Sequence, residues 1–203
     1  LTSGRTGSNL ICDSLFKAGL PVKYEPLNET YASKYPNPDE PYTGQTKIDA
    51  INKSMNNAVL CKVLYCQLDE ELLKQLRESY QMIHLIRSPV QVYMSLKIAE
   101  LTKVWHENNI DVPRITLSIE DFKNFLYRHL YLRNLCAKYS FIEMDYTDIF
   151  NWSSFIYRFQ NHIGVNPIVV EQTLKRSKYN KREVIVNYKE IMDTYVYFFN
   201  KIV

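Results

Sequence analysis

No uninterrupted apolar run in these 203 residues reaches the roughly 20 needed to span a bilayer, so the sequence offers no membrane span. The four cysteines, Cys12, Cys61, Cys66 and Cys136, form no CxxC pair and no Cys/His cluster with metal-ligand spacing, which removes the zinc-finger and dithiol-redox classes. Three of them sit inside apolar runs and read as buried free thiols, the usage expected of a reducing, cytoplasmic compartment. Acidic residues do not gather at any glycine-bearing turn, so no metal site is expected. There is no internal repeat and no low-complexity tract. Charge of one sign is not in excess either: 25 basic against 22 acidic residues leave a net +3, too little to argue for a nucleic-acid partner. What is present is 46% apolar content, enough to build the core of one globular domain over residues 1–203.

The apolar residues are organised as alternating strands and helices. Leu1 to Ser3 reads as the end of a strand. Residues 9–18 read as a helix, with Leu10, Ile11, Leu15 and Phe16 on one face. Residues 21–46 hold all but three of the eight prolines and show no period, so they read as a long loop. Short apolar runs at 58–66, 82–87 and 140–146 suit buried parallel strands. Helical patterns cover 47–56, 68–80, 89–107, 118–139, 152–163, 167–174 and 188–202. Pro89 opens the third of these, and Ser118-Ile-Glu-Asp121 resembles a capping box before the fourth. Strand and helix in alternation predict an α/β fold, a three-layer sandwich with a parallel sheet. In such folds ligands bind at the carboxyl ends of the strands.

The densest chemistry is at the start. In "LTSGRTGSNL" two glycines and four hydroxyl residues surround Arg5, between a strand end and a helix start. Backbone N–H groups at a helix start lack an internal partner, and the helix dipole favours negative charge there. Thr6 and Ser8 can add hydroxyl donors, and Arg5 adds a permanent charge with a planar fork of donors. The loop, Arg5 to Asn9, therefore reads as a phosphate cradle, against the plainer reading of an ordinary strand-to-helix turn. It is not a nucleotide triphosphate loop, because Gly7 is followed by Ser8 and Asn9 rather than by lysine. A second stretch, "LIRSPVQVYMSL", places Arg87 at a strand end and Ser95 a little over two helical turns later. The basic run Lys175-Arg176-Ser177-Lys178 with Lys181-Arg182 is either a solvated loop or a further anion-facing segment.

Taken together, "SGRTGSNL" and "RSPVQVYMS" resemble the 5′-phosphosulfate loop and the 3′-phosphate segment of sulfotransferases, enzymes that use 3′-phosphoadenosine-5′-phosphosulfate (PAPS). The closer resemblance is to the Stf-zero type, the bacterial trehalose 2-sulfotransferases. It is carried by "GLPVKYEP", "CKVLY", "SLKIAELTKVW", "IEMDY" and "EQTLKRSKYNKR", and runs along nearly the whole chain. It implies a P-loop NTPase-like sulfotransferase fold and transfer of a sulfuryl group from PAPS to a hydroxyl of a carbohydrate or glycolipid. It also implies no metal, no nucleic acid and release of 3′-phosphoadenosine-5′-phosphate (PAP); a homodimer is compatible with it.

Roles follow from the resemblance residue by residue. Arg5, with Thr6, Gly7, Ser8 and Asn9, would meet the 5′-phosphosulfate. Arg87 and Ser95 would meet the 3′-phosphate, with Arg176 joining them. Glu25 is implied as the base that takes the acceptor proton, where the loop composition alone suggests only a solvated carboxylate; His106 is the rival base. Lys62 would point at the sulfuryl group, or snorkel from its strand end. Tyr31, Tyr35 and Tyr42 would form a sugar-stacking wall or pack the loop. Two other functions compete: a small-molecule or nucleotide kinase on a similar fold, which the absent Gly-Lys pair disfavours, and a nucleotide-binding module without catalysis.

Overall fold

A computed structural model describes residues 1–27, 47–103, 112–140, 142–173 and 180–202. In chain order these form α1 (Ser8–Lys17), β1 (Val22–Tyr24), α2 (Lys47–Met55), β2 (Leu60–Lys62), α3 (Glu70–Ser79), β3 (Ile83–Ile86), α4 (Pro89–Thr102), α5 (Ile119–Tyr139), β4 (Ile142–Asp145), α6 (Trp152–His162), α7 (Lys181–Val184) and α8 (Tyr188–Ile202), with 3-10 turns at Tyr65–Gln67 and Tyr146–Phe150. The chain is mixed α/β, mostly helical with small parallel sheets. It divides into two compact units, Leu1–Ile86 with Arg133–Leu174, and Arg87–Leu132 with Lys175–Val203.

The first unit carries the strands. β1 pairs in parallel with β2 (Val22 to Leu60, Tyr24 to Lys62), and β3 in parallel with β4 (Ile83 to Ile142, Ile86 to Asp145). Thr2 bridges in parallel to Leu64 on one side and Leu85 on the other. Its N–H donates to Val63 O at 3.2 Å, its carbonyl accepts from Tyr65 N at 2.8 Å, and Leu85 N donates to Leu1 O at 2.9 Å. The opening residues thus lie between β2 and β3. All five segments run the same way, in the order β1, β2, Leu1–Ser3, β3, β4.

Leu10, Ile11 and Leu15 of α1 and Phe155, Ile156 and Phe159 of α6 cover Ile83, Leu85 and Met144 in one core. Burying each such side chain stabilises by about 1.5–3 kcal/mol before entropy is set against it. α3 shows why its segment is helical: Asp69 caps it by accepting from Leu72 N at 2.9 Å, Glu70 and Glu71 complement the first turn, and Leu72, Leu73 and Leu76 are its buried stripe.

The second unit gathers Tyr93, Met94 and Ile98 of α4, Phe122 and Leu126 of α5, and Val184, Ile185 and Ile191 into a core of its own. Tyr93 sits 4.9 Å from Phe122 and 5.2 Å from Phe125, ring centre to ring centre. Asn187 ties Leu117 from both sides, accepting from its N–H at 2.9 Å and donating to its carbonyl at 2.8 Å.

Four elements differ from the sequence reading, the first being the short α7 (Lys181–Val184), in a stretch read only as part of a basic run. β1 lies inside the stretch read as loop. α4 ends at Thr102 rather than near residue 107, because Lys103 turns left-handed at φ 57° and closes it. Residues 167–173 are not helical. Gln160 accepts from Ile168 N at 2.7 Å and donates to Ile168 O at 3.1 Å, and the Trp152 indole donates to Val170 O at 2.7 Å. Side chains take the backbone groups that a helix would use. Among the described residues no helix is long and apolar enough to cross a membrane.

Candidate functional site

The anion loop is built in the first unit. The central segment ends at Ser3, the chain turns through Gly4–Gly7, and α1 begins at Ser8. Two of the turn residues are left-handed, Arg5 at φ 66° and Gly7 at φ 82°. Gly7 is required twice over: its φ suits glycine, and a Cβ there would lie 2.4 Å from Cε2 and 2.7 Å from Cδ2 of Tyr146. As the N-cap of α1, Gly7 supplies no side-chain acceptor, and no acidic residue stands in the first turn. The first N–H groups of α1 are therefore left to a ligand or solvent. Arg5 is half-buried and Ser8 is buried.

The expectation that Thr6 adds a donor hydroxyl to the cradle needs correction. Thr6 is buried, and its hydroxyl donates to Ser3 O at 2.9 Å and shares a hydrogen bond with the Thr2 hydroxyl. Its side chain braces the loop from within. Conversely, the buried Ser3 hydroxyl has no hydrogen-bond partner among the described residues. It is a donor that composition did not single out.

Beside the loop stands a buried ion pair. Lys62 ends β2 and Glu25 directly follows β1; both side chains are 7% exposed, and Nζ lies 2.5 Å from Oε1. The parallel register brings Tyr24 opposite Lys62, and Glu25 N donates to Lys62 O at 2.9 Å, so the backbone sets the pair side by side. Lys62 Nζ also donates to Asn9 Oδ1, in the first turn of α1. Three residues singled out separately in the sequence thus converge from three elements. Glu25 is held left-handed at φ 42°, directly before Pro26. Such a conformation costs a non-glycine residue on the order of 1–3 kcal/mol and persists only where its surroundings determine it. Tyr24 adds a second tie, its hydroxyl donating to Asp13 of α1.

Arg87 is half-buried just after β3, Ser95 is buried on α4, and both belong to the second unit. His106, Arg176 and the tyrosines Tyr31, Tyr35 and Tyr42 lie outside the described residues. Cys12 on α1 is no nucleophile: burial pushes its thiol up to about 12, although the Lys62 charge pulls the other way. Burial also pushes Cys61 up to about 12. A cavity of about 250 Å³ in the same unit is lined mainly by apolar chains such as Ile51, Met55, Leu60, Met82 and Phe159. Ser8 of the loop and Lys62 of the ion pair also border it. Among the described residues no three His, Cys, Asp or Glu side chains gather as a metal site.

No protein-family model matches the chain, and no curated protein matches it at a significant level.

Proposed function

We propose that this protein is a PAPS-dependent sulfotransferase acting on a carbohydrate or glycolipid hydroxyl. The observation that carries the reading is the meeting of an uncapped helix start, an arginine-bearing loop and the buried Lys62–Glu25 pair on the first turn of α1. An anion at a helix start and a carboxylate for the acceptor proton are the two things sulfuryl transfer needs. The place of the loop also supports it. It leaves the middle of five parallel segments, with neighbours on both sides, where ligands of α/β proteins bind.

In the reaction the bond between sulfur and the bridging phosphate oxygen breaks and a bond from sulfur to the acceptor oxygen forms. Glu25 takes the acceptor proton. Arg5, the N–H groups of residues 7–9 and the Ser8 hydroxyl hold the phosphosulfate end and meet the charge that grows on the leaving phosphate. Lys62 orients Glu25 and lies within reach of the first turn of α1. Arg87 and Ser95 take the 3′-phosphate.

Calorimetry with PAP, ADP and ATP tests the proposal. PAP binds at least tenfold more tightly than either, since losing one charge-assisted phosphate contact costs about 1.5–3 kcal/mol. Equal affinity for PAP and adenosine 5′-phosphate removes the 3′-phosphate site, and a preference for ATP with magnesium favours a kinase.

A further inference from the structure

The apolar cavity of the first unit lies between two strands. Both alternations of each strand border it: Cys61 and Val63 as well as Leu60 and Lys62, and Met82 as well as Ile83. Successive side chains of a strand point to opposite faces of its sheet, so a cavity touching both sets is a slot through the sheet. The register measures its length. Thr2 is level with Leu64 and with Leu85, so Leu1 is level with Val63 and His84. The next four levels back are residues 62 to 59 on one side and 83 to 80 on the other, and every one of them lines the cavity. Four strand residues span about 13 Å. The slot therefore continues the line of Leu1–Ser3 between β2 and β3.

The backbone edges agree with this placement. Val63 O accepts from Thr2 N at 3.2 Å, and Ile83 O accepts from Leu1 N at 2.5 Å. The N–H and C=O of one residue leave a parallel strand on the same edge, and residues two apart share that edge. The N–H groups of Cys61, Val63 and Ile83 and the carbonyl of Cys61 thus face the slot. Polar backbone groups in an apolar enclosure need partners that hydrocarbon cannot supply. We infer that the slot receives an extended apolar peptide, parallel to β2 and β3 and in line with Leu1–Ser3. Its amides bond both strands at once, and its side chains fall alternately to the two faces of the sheet. The helices around the slot offer Ile11, Cys12 and Phe159, and Ile51, Met55 and Leu76, while the Lys62 ammonium is turned to Glu25 and Asn9. The fitting sequence is therefore a continuous run of β-branched residues, as in a strand buried on both faces, rather than an alternating one. The inference is independent of the reaction proposed above.

Calorimetry of the full chain with the peptide acetyl-Lys-Lys-Val-Ile-Val-Ile decides it, the two lysines serving solubility alone. The peptide binds one to one, and nuclear Overhauser contacts join it to the amide protons of Val63 and Ile83 together. Proline in place of the second valine removes a ladder N–H and weakens binding by roughly tenfold or more. Met55→Glu sets a carboxylate at the border of the slot and weakens binding by roughly tenfold, with circular dichroism showing an unchanged fold. Decanoate, which has a hydrocarbon chain but no amides, binds far more weakly than the peptide. A peptide that does not bind overturns the inference. So does a proline peptide that binds equally, contacts to one strand only, or decanoate as tight as the peptide, which would make the slot a hydrocarbon site.

Discussion

Replacing Lys62 by methionine keeps the length and the apolar stem of the side chain and removes only its charge. In the wild type the ammonium is 2.5 Å from Glu25 Oε1, and both side chains are 7% exposed. Without Lys62, Glu25 stays in the same enclosure with its counter-charge gone. Breaking a buried pair from one side costs about 3–5 kcal/mol, because the remaining charge is still desolvated. For a chain of this size that is a fall of roughly 6–20 °C in Tm. Removing both charges in Glu25→Gln/Lys62→Met leaves no stranded ion, so the double variant is more stable than Lys62→Met alone. The two substitutions are strongly non-additive, with a coupling of about 2 kcal/mol or more. Urea melts of the four proteins measure all of this without any substrate. The reasoning is refuted if Lys62→Met costs under about 1 kcal/mol, or if the two changes simply add. Either result would mean that the pair is solvated and that Lys62 does not hold Glu25 in place.

Gly7→Ala meets two penalties at once, a left-handed φ of 82° and a Cβ 2.4 Å from the Tyr146 ring. Together they cost about 2–5 kcal/mol, and Tyr146→Ala in the same chain returns only the steric share; a neutral Gly7→Ala in a thermal melt would show that the turn is not as described. Glu70 accepts from the Tyr139 hydroxyl at 2.6 Å and from Lys138 at 2.9 Å, which pull its carboxyl down from 4.5 to about 2. A lowered folded-state pKa stabilises above the unfolded value, so wild type exceeds Glu70→Gln in stability above about pH 4.5, and the difference fades as pH falls through about 2. Stability curves of the two proteins that run parallel across that window would contradict it.

The strands at β2, β3 and β4 were legible because buried parallel strands leave short apolar runs that need no alternation. β1 was not. Its three residues lie between Pro21 and Pro26, and their pairing with β2 is a property of the assembled sheet rather than of the segment. The segment after Pro167 carries the opposite lesson. Its apolar residues look periodic, but Gln160 and Trp152 claim its carbonyl and amide groups from a distance in sequence. At the site, Arg5, Gly7 and the start of α1 could be read from residue type and order. The contact of Lys62 with Glu25 and Asn9 could not, since it exists only once β1 and β2 are in register beside α1. Nor could the inward turn of the Thr6 hydroxyl, because loop composition does not say which hydroxyls are spent on the loop itself.

The position of Leu1–Ser3 has a consequence for kinetics. The segment that leads into the loop is bonded on one side by Val63 and Tyr65 and on the other by Leu85. None of these partners is near it in sequence, so the loop acquires its shape only after two distant stretches have come together around it. Contacts of such long range are made late and slowly in folding. They also tie the loop to the most cooperative part of the molecule. The amides of Thr2, Tyr65 and Leu85 would then exchange with solvent only when the first unit opens as a whole, and a ligand held by the loop would slow that exchange throughout the surrounding strands.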